Sequence, residues 1–146
     1  MIGVDLSGKM LEKAKIRNIY ARLEQAELLT VLRAEPASSF DLVLAADVLV
    51  YLGKLEETFE QVSRVLCPGG LHAFSVESMD ALIESGAAGS ALGYQLNPTG
   101  RYAHAMRYLQ TVAGRSGLEF IDFRTTRIRL DQGKPVNGYL VLIRRI

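Results

Sequence analysis

The stretch Phe40-Asp41-Leu42-Val43-Leu44-Ala45-Ala46-Asp47 constrains this chain more than any other. Its unbroken apolar run predicts a strand covered on both faces, the pattern of a parallel sheet rather than a half-solvated antiparallel one. The run ends by presenting an acid, Asp47, at the strand's carboxyl tip. Behind it, Leu55, Phe59, Val62 and Leu66 recur at helical spacing, and Pro68-Gly69-Gly70 closes that helix. Residues 71–76 then read as a second strand, carrying Ser75 and Glu77 to its tip. Strand, helix and strand in this order form a βαβ unit, so the expected class is α/β.

The rest of the chain continues the alternation. Met1-Ile2-Gly3-Val4-Asp5 is a short strand ending in an acid, and Ser7 is an N-cap for a helix over residues 9–17, with Leu11, Ala14 and Met10 facing inward. In adenosine-binding folds an acid at such a tip accepts hydrogen bonds from both ribose hydroxyls; a turn or cap role is the plainer alternative. Residues 19–23 suggest a weak strand, Leu28, Leu29, Val31 and Leu32 a short helix, and Glu35-Pro36-Ala37-Ser38-Ser39 a break. Residues 78–100 read as a long glycine- and serine-rich loop with a helical turn over 80–84, placed where a lid or substrate wall belongs. Ala103, Met106, Leu109, Val112 and Ala113 mark a last helix. Residues 120–130 and 139–143 are strands joined by Asp131-Gln132-Gly133-Lys134-Pro135, a connection short enough to require an antiparallel hairpin.

Composition limits the function classes. With 146 residues, 49% hydrophobic and 23% charged, the sequence fits one globular domain, 1–146. A net charge of +1 argues against a nucleic-acid surface built on bulk electrostatics, and the arginines of the C-terminal third read as solvated strand edges. One cysteine, Cys67, excludes an internal disulfide and fits a reducing, cytoplasmic setting. No apolar run is long enough to span a membrane. His72 and His104 are the only histidines, too few for a metal centre of the usual kind.

Several words in this order resemble the class I S-adenosylmethionine-dependent methyltransferases, and among them predicted bacterial members associated with tetratricopeptide repeats. These words are Ile2-Gly3-Val4-Asp5-Leu6-Ser7 with Met10, Phe40-Asp41-Leu42-Val43 leading to Ala46-Asp47-Val48-Leu49-Val50-Tyr51-Leu52-Gly53, and Leu66-Cys67-Pro68-Gly69-Gly70. Phe74-Ser75-Val76-Glu77 and Gly100-Arg101-Tyr102-Ala103-His104 are more particular to the subgroup. The resemblance implies a Rossmann-like methyltransferase sheet with an antiparallel C-terminal hairpin and S-adenosylmethionine as cofactor. It implies that Asp5 holds the ribose, that Leu6 and Met10 pack beside the adenine, and that Ala26-Glu27 approaches the adenine amino group. Glu27 stands where the family usually has an aspartate. Asp47 and Val48 would lie near the methionine end, with Tyr51, Glu77, Arg101 and Tyr102 toward the acceptor and His104 as the candidate general base.

The departure lies at the start. The family's first strand and glycine-rich turn are absent from the sequence, so the expectation is a truncated domain, impaired alone, with two uncovered strand edges. The acceptor is a small molecule or a protein of unidentified kind. A rival reading keeps the fold as a binding or assembly module, dimeric through the uncovered strands. A nicotinamide-dependent dehydrogenase would also explain Asp5, but neither the Asp47 stretch nor the hairpin.

Overall fold

The computed structural model describes residues 1–84, 86 and 89–146. Where the sequence suggests one domain, contacts cluster into two compact units, Met1–Pro36 and Ala37–Ile146, which divide at the Glu35-Pro36 break.

The first unit is a βαβα run. β1 (Ile2–Asp5) pairs in parallel with β2 (Arg22–Gln25), Asp5 standing opposite Gln25 at the carboxyl ends. α1 (Gly8–Ile16) links them and α2 (Leu28–Ala34) follows. Ser7 caps α1 as its residue type predicts: its Oγ accepts from the Met10 N–H at 3.3 Å. Leu11 and Ala14 are half-buried, but Met10 is 51% exposed and does not turn inward. β2 begins at Arg22 rather than residue 19, and Arg22 pairs with both Glu24 and Glu35.

The second unit is a mixed sheet with helices. β3 (Phe40–Ala45) runs parallel to β4 (Leu66–Ser78), and β8 (Lys134–Arg145) lies antiparallel on the other flank of β4, followed by β7 (Leu118–Asp131). The expected hairpin is present and turns on Gln132 and Gly133. Both have positive φ, 47° and 78°, the requirement of a two-residue type I′ turn. Residues 78–100 hold more structure than a loop. α4 (Met79–Glu84) is followed by β5 (Tyr94–Leu96), which forms a hairpin with β6 (Tyr102–His104). β6 joins β4 in parallel at Glu77 and Ser78, beyond the segment that β3 pairs. Short three-residue strands leave almost no periodic signal, which hides this hairpin from pattern reading. Ala103 consequently belongs to β6, and α5 (Met106–Arg115) starts three residues later.

α3 (Glu56–Val65) supplies the central packing. Leu55, Phe59, Val62 and Leu66 are all buried, as their spacing predicts. The helix ends at Val65 because Leu66 is already extended (φ −69°, ψ 141°), and Cys67, as the residue before Pro68, disfavours helix too. Phe59 meets the edges of His72 and Phe74 on one face of β4. The opposite face does not match the expectation of full cover. Leu42 and Leu44 are 49% and 63% exposed, and Leu44, Ala73, Leu140 and Leu142 border an open cavity of about 490 Å³. Among the described residues β3 pairs along one flank only, so its apolar run is not that of an enclosed strand.

His72 is sealed in this core, its Nδ1 3.0 Å from the Val43 carbonyl. Burial lowers its pKa to about 4, partly opposed by that hydrogen bond. Because the folded value lies below the unfolded one, the unfolded chain takes the proton first. The stabilisation is complete above the unfolded value near 6.5 and is lost as pH falls toward 4. We expect about 3 kcal/mol to disappear across that window. Urea midpoints at pH 7 and pH 4.5 check this: His72→Leu should show a distinctly shallower fall than the native chain.

Candidate functional site

Polar groups converge at the carboxyl ends of β3 and β4. Asp47 follows β3 by two residues and adopts φ 55°, the left-handed region that few non-glycine residues occupy. Its N–H donates to Ser75 Oγ at 2.9 Å, and its Oδ1 lies 3.8 Å from Arg129 Nη1. Asp47 is thus held from two sides in a conformation it shares with Asn18, Ser38 and Gln132. Arg129 also forms an ion pair with Glu77, which is buried, and Asn97 Nδ2 donates to the other oxygen of that carboxylate at 2.9 Å. The Arg129–Glu77 contact is ionic rather than an aligned hydrogen bond, and the three guanidinium nitrogens keep unused donor capacity.

Beside this cluster a 3-10 turn, Leu49–Tyr51, sends Leu49 and Val50 into the core and leaves Tyr51 exposed. Arg101 lies 5.6 Å over the Tyr51 ring, and its Nη2 donates to the Tyr51 hydroxyl at 3.3 Å. Val48 is 38% exposed next to them. Tyr102 packs against Gly53, where an added Cβ would come within 2.7 Å of the ring, so only glycine fits that approach.

His104 is fully buried. Its Nε2 lies 3.0 Å from the Gly53 carbonyl, so Nε2 carries the hydrogen and donates it. The ring stacks on Tyr108 and neighbours Tyr94. Burial lowers its pKa, with partial opposition from the bond to Gly53. A histidine sealed in this way ties β6 to the turn after the 3-10 segment. Its Nδ1 is buried with no hydrogen-bond partner among the described residues. Tyr108 reinforces the same region: its hydroxyl accepts from the Leu55 N–H and donates to Glu56, each at 2.8 Å. Asp80 does so from α4, accepting at one oxygen from the Met106 N–H and the Tyr139 hydroxyl.

In the first unit, the tip of β1 forms a compact polar corner. Asp5 Oδ1 accepts from the Ser7 N–H at 2.7 Å, and its second carboxylate oxygen has no donor among the described residues. Gln25 Nε2 donates to the Leu6 carbonyl at 3.0 Å. Leu6 is 68% exposed and Met10 51%, apolar side chains facing outward beside a carboxylate. Ala26 is half-buried, and Glu27 is exposed at the start of α2, where its side chain makes no capping bond. A free carboxylate oxygen with outward apolar neighbours fits the ribose and base of a nucleoside.

The structure thus joins Asp47 with Glu77 through Arg129, Tyr51 with Arg101 directly, and Tyr102 with His104 at Gly53. Arg129 and Asn97 were not singled out by sequence reasoning. Arg124 and Arg129 look alike in the sequence, yet their side chains are 80% and 16% exposed. Only the hairpin register, which sets Arg129 opposite Val136, separates them. Among the described residues no three metal-ligating side chains stand together, and no helix is long and apolar enough to cross a membrane.

A βαβ start, a parallel core, a terminal antiparallel hairpin and acids at two strand tips define a Rossmann-like methyltransferase fold. A family model described as a methyltransferase domain matches residues 1–72. A solved S-adenosylmethionine-dependent methyltransferase from Methanosarcina mazei is 14% identical, with a TM-score of 0.73 over 99% of this chain and 81% of the other. One from Mesorhizobium loti is 21% identical, with a TM-score of 0.71 over 99% and 80%. The N-methyltransferase NodS from Bradyrhizobium japonicum, solved with S-adenosylhomocysteine, is 15% identical, with a TM-score of 0.65 over 99% and 65%. No curated protein matches the chain in sequence. The family model thus covers the first 72 of the 146 residues, and the solved structures share this chain's fold.

Proposed function

We propose that this chain serves S-adenosylmethionine-dependent methyl transfer to an oxygen, nitrogen, carbon or sulfur nucleophile of an acceptor. The observation that carries the reading is the tip of β3: Asp47 in a left-handed conformation, fixed by Ser75 and Arg129 beside Tyr51 and Arg101. S-adenosylmethionine supplies a methyl group already activated on a sulfonium, so the protein's task is alignment and exclusion of water. In the first unit Asp5 accepts from the ribose hydroxyls, Leu6 and Met10 cover the adenine, and Ala26 with Glu27 meets its amino group. In the second unit Asp47 and Val48 receive the methionine end. Tyr51, Tyr102, Arg101 and Glu77 shape the acceptor side, and His104 is a positioning residue that holds β6 against Gly53.

Calorimetric titration with S-adenosylhomocysteine and, separately, with NAD tests the reading. Saturable heat with the first and none with the second is expected; the reverse would favour a dehydrogenase.

The unpaired edge of β3 among the described residues, with exposed Leu42 and Leu44 on one face, favours a second reading, an assembly module that dimerises through this strand. Sedimentation separates the two, since a monomer that binds S-adenosylhomocysteine leaves no role for the assembly reading.

A further inference from the structure

A second cavity, of about 410 Å³, opens between the β7–β8 hairpin tip and the β5–β6 loop, bordered by Thr99, Arg101, Asp131, Gln132, Lys134 and Val136. Its floor follows from register. Asp131 stands opposite Lys134 and Arg129 opposite Val136, so these four share one face of the hairpin. Arg129 is therefore next in the row, where it reaches Glu77 and Asp47. The cavity thus runs toward the strand-tip cluster described above.

The charges in it are unequal. Arg101 and Lys134 bring two cations, Asp131 one anion, and none of the three has an ion-pair partner among the described residues. Arg101 is also held in place: its Nη2 donates to the Tyr51 hydroxyl, its guanidinium carbon lies 5.6 Å from that ring's centroid, and its buried Nε has no hydrogen-bond partner among the described residues. A planar donor anchored to an aromatic residue with unused N–H groups is suited to a planar or tetrahedral oxyanion.

We propose that this cavity receives an anionic group, carboxylate or phosphate, of the methyl acceptor, with Arg101 and Lys134 as its ligands and Thr99 and Gln132 as neutral donors. The proposal rests on the methyltransferase reading for the word acceptor, but its chemistry does not depend on cofactor binding. It narrows the substrates to anionic molecules whose nucleophile projects from the cavity toward Asp47.

The test uses the full chain, with arginine Nε–H resonances followed by NMR during titration with inorganic phosphate or acetate. A saturable shift at Arg101 is expected, with affinity reduced about tenfold in Arg101→Gln (read from the neighbouring Thr99 and Gln132 amides) and in Lys134→Gln. Tighter binding of phosphate or of acetate identifies the kind of anion. Non-saturable shifts at Arg101 equal to those of the exposed Arg124 would overturn the proposal, as would unchanged affinity in both variants. S-adenosylhomocysteine titration of Lys134→Gln, unchanged in either case, keeps this result separate from the cofactor reading.

Discussion

Replacing Arg129 by Met is expected to cost about 3–5 kcal/mol of folding stability, the penalty of leaving a buried carboxylate without its cation. Glu77 is 4% exposed, and its charge is matched by Arg129, with Asn97 contributing a neutral hydrogen bond. Urea denaturation monitored by circular dichroism measures the loss. The double variant Glu77→Leu with Arg129→Met removes both charges and should recover most of it, since a buried pair adds little over well-packed apolar residues. Equal destabilisation by the single and double variants would show that Arg129 acts through packing. The pair matters beyond stability because the same guanidinium faces Asp47 at 3.8 Å. In Arg129→Met the loop after β3 should loosen while Ser75 still holds the Asp47 N–H.

The second large effect concerns Asp5. Asp5→Ala should weaken S-adenosylhomocysteine binding by about tenfold or more, the value of a hydrogen bond to a charged acceptor. Calorimetry against the native chain measures the difference. The substitution also removes the acceptor of the Ser7 N–H, so a modest loss at the start of α1, about 1 kcal/mol, is expected from thermal unfolding. Ser7→Ala serves as the control: it disturbs the same helix start and should leave nucleoside affinity near the native value.

The parts legible in the sequence were those with long periodic signals. The α3 stripe, the Ser7 cap, the β7–β8 hairpin and the acids at the tips of β1 and near β3 all followed from spacing and residue type. Short elements were not legible. β5 and β6 have three residues each, too few for a period of two to stand out, so a hairpin read as a loop and His104 as a helix start. Burial was misjudged where it depends on neighbours far along the chain. Leu42 and Leu44 are as apolar as any enclosed strand residue, and only pairing partners decide whether they are covered. The role of Arg129 was hidden for the same reason, since register rather than composition brings it to Glu77. The full burial of His104 is likewise not disclosed by its residue type.

Asp5 at the tip of β1 and Asp47 after β3 are each expected to respond to a sulfonium nucleoside. The most direct test is a residue-resolved NMR titration of the full chain with S-adenosylhomocysteine. Saturable binding is expected, with shifts at Asp5, Leu6 and Glu27 and, in the same titration, at Asp47 and Val48. Absence of saturable shifts at either set of residues, at concentrations that saturate the other, would contradict this expectation.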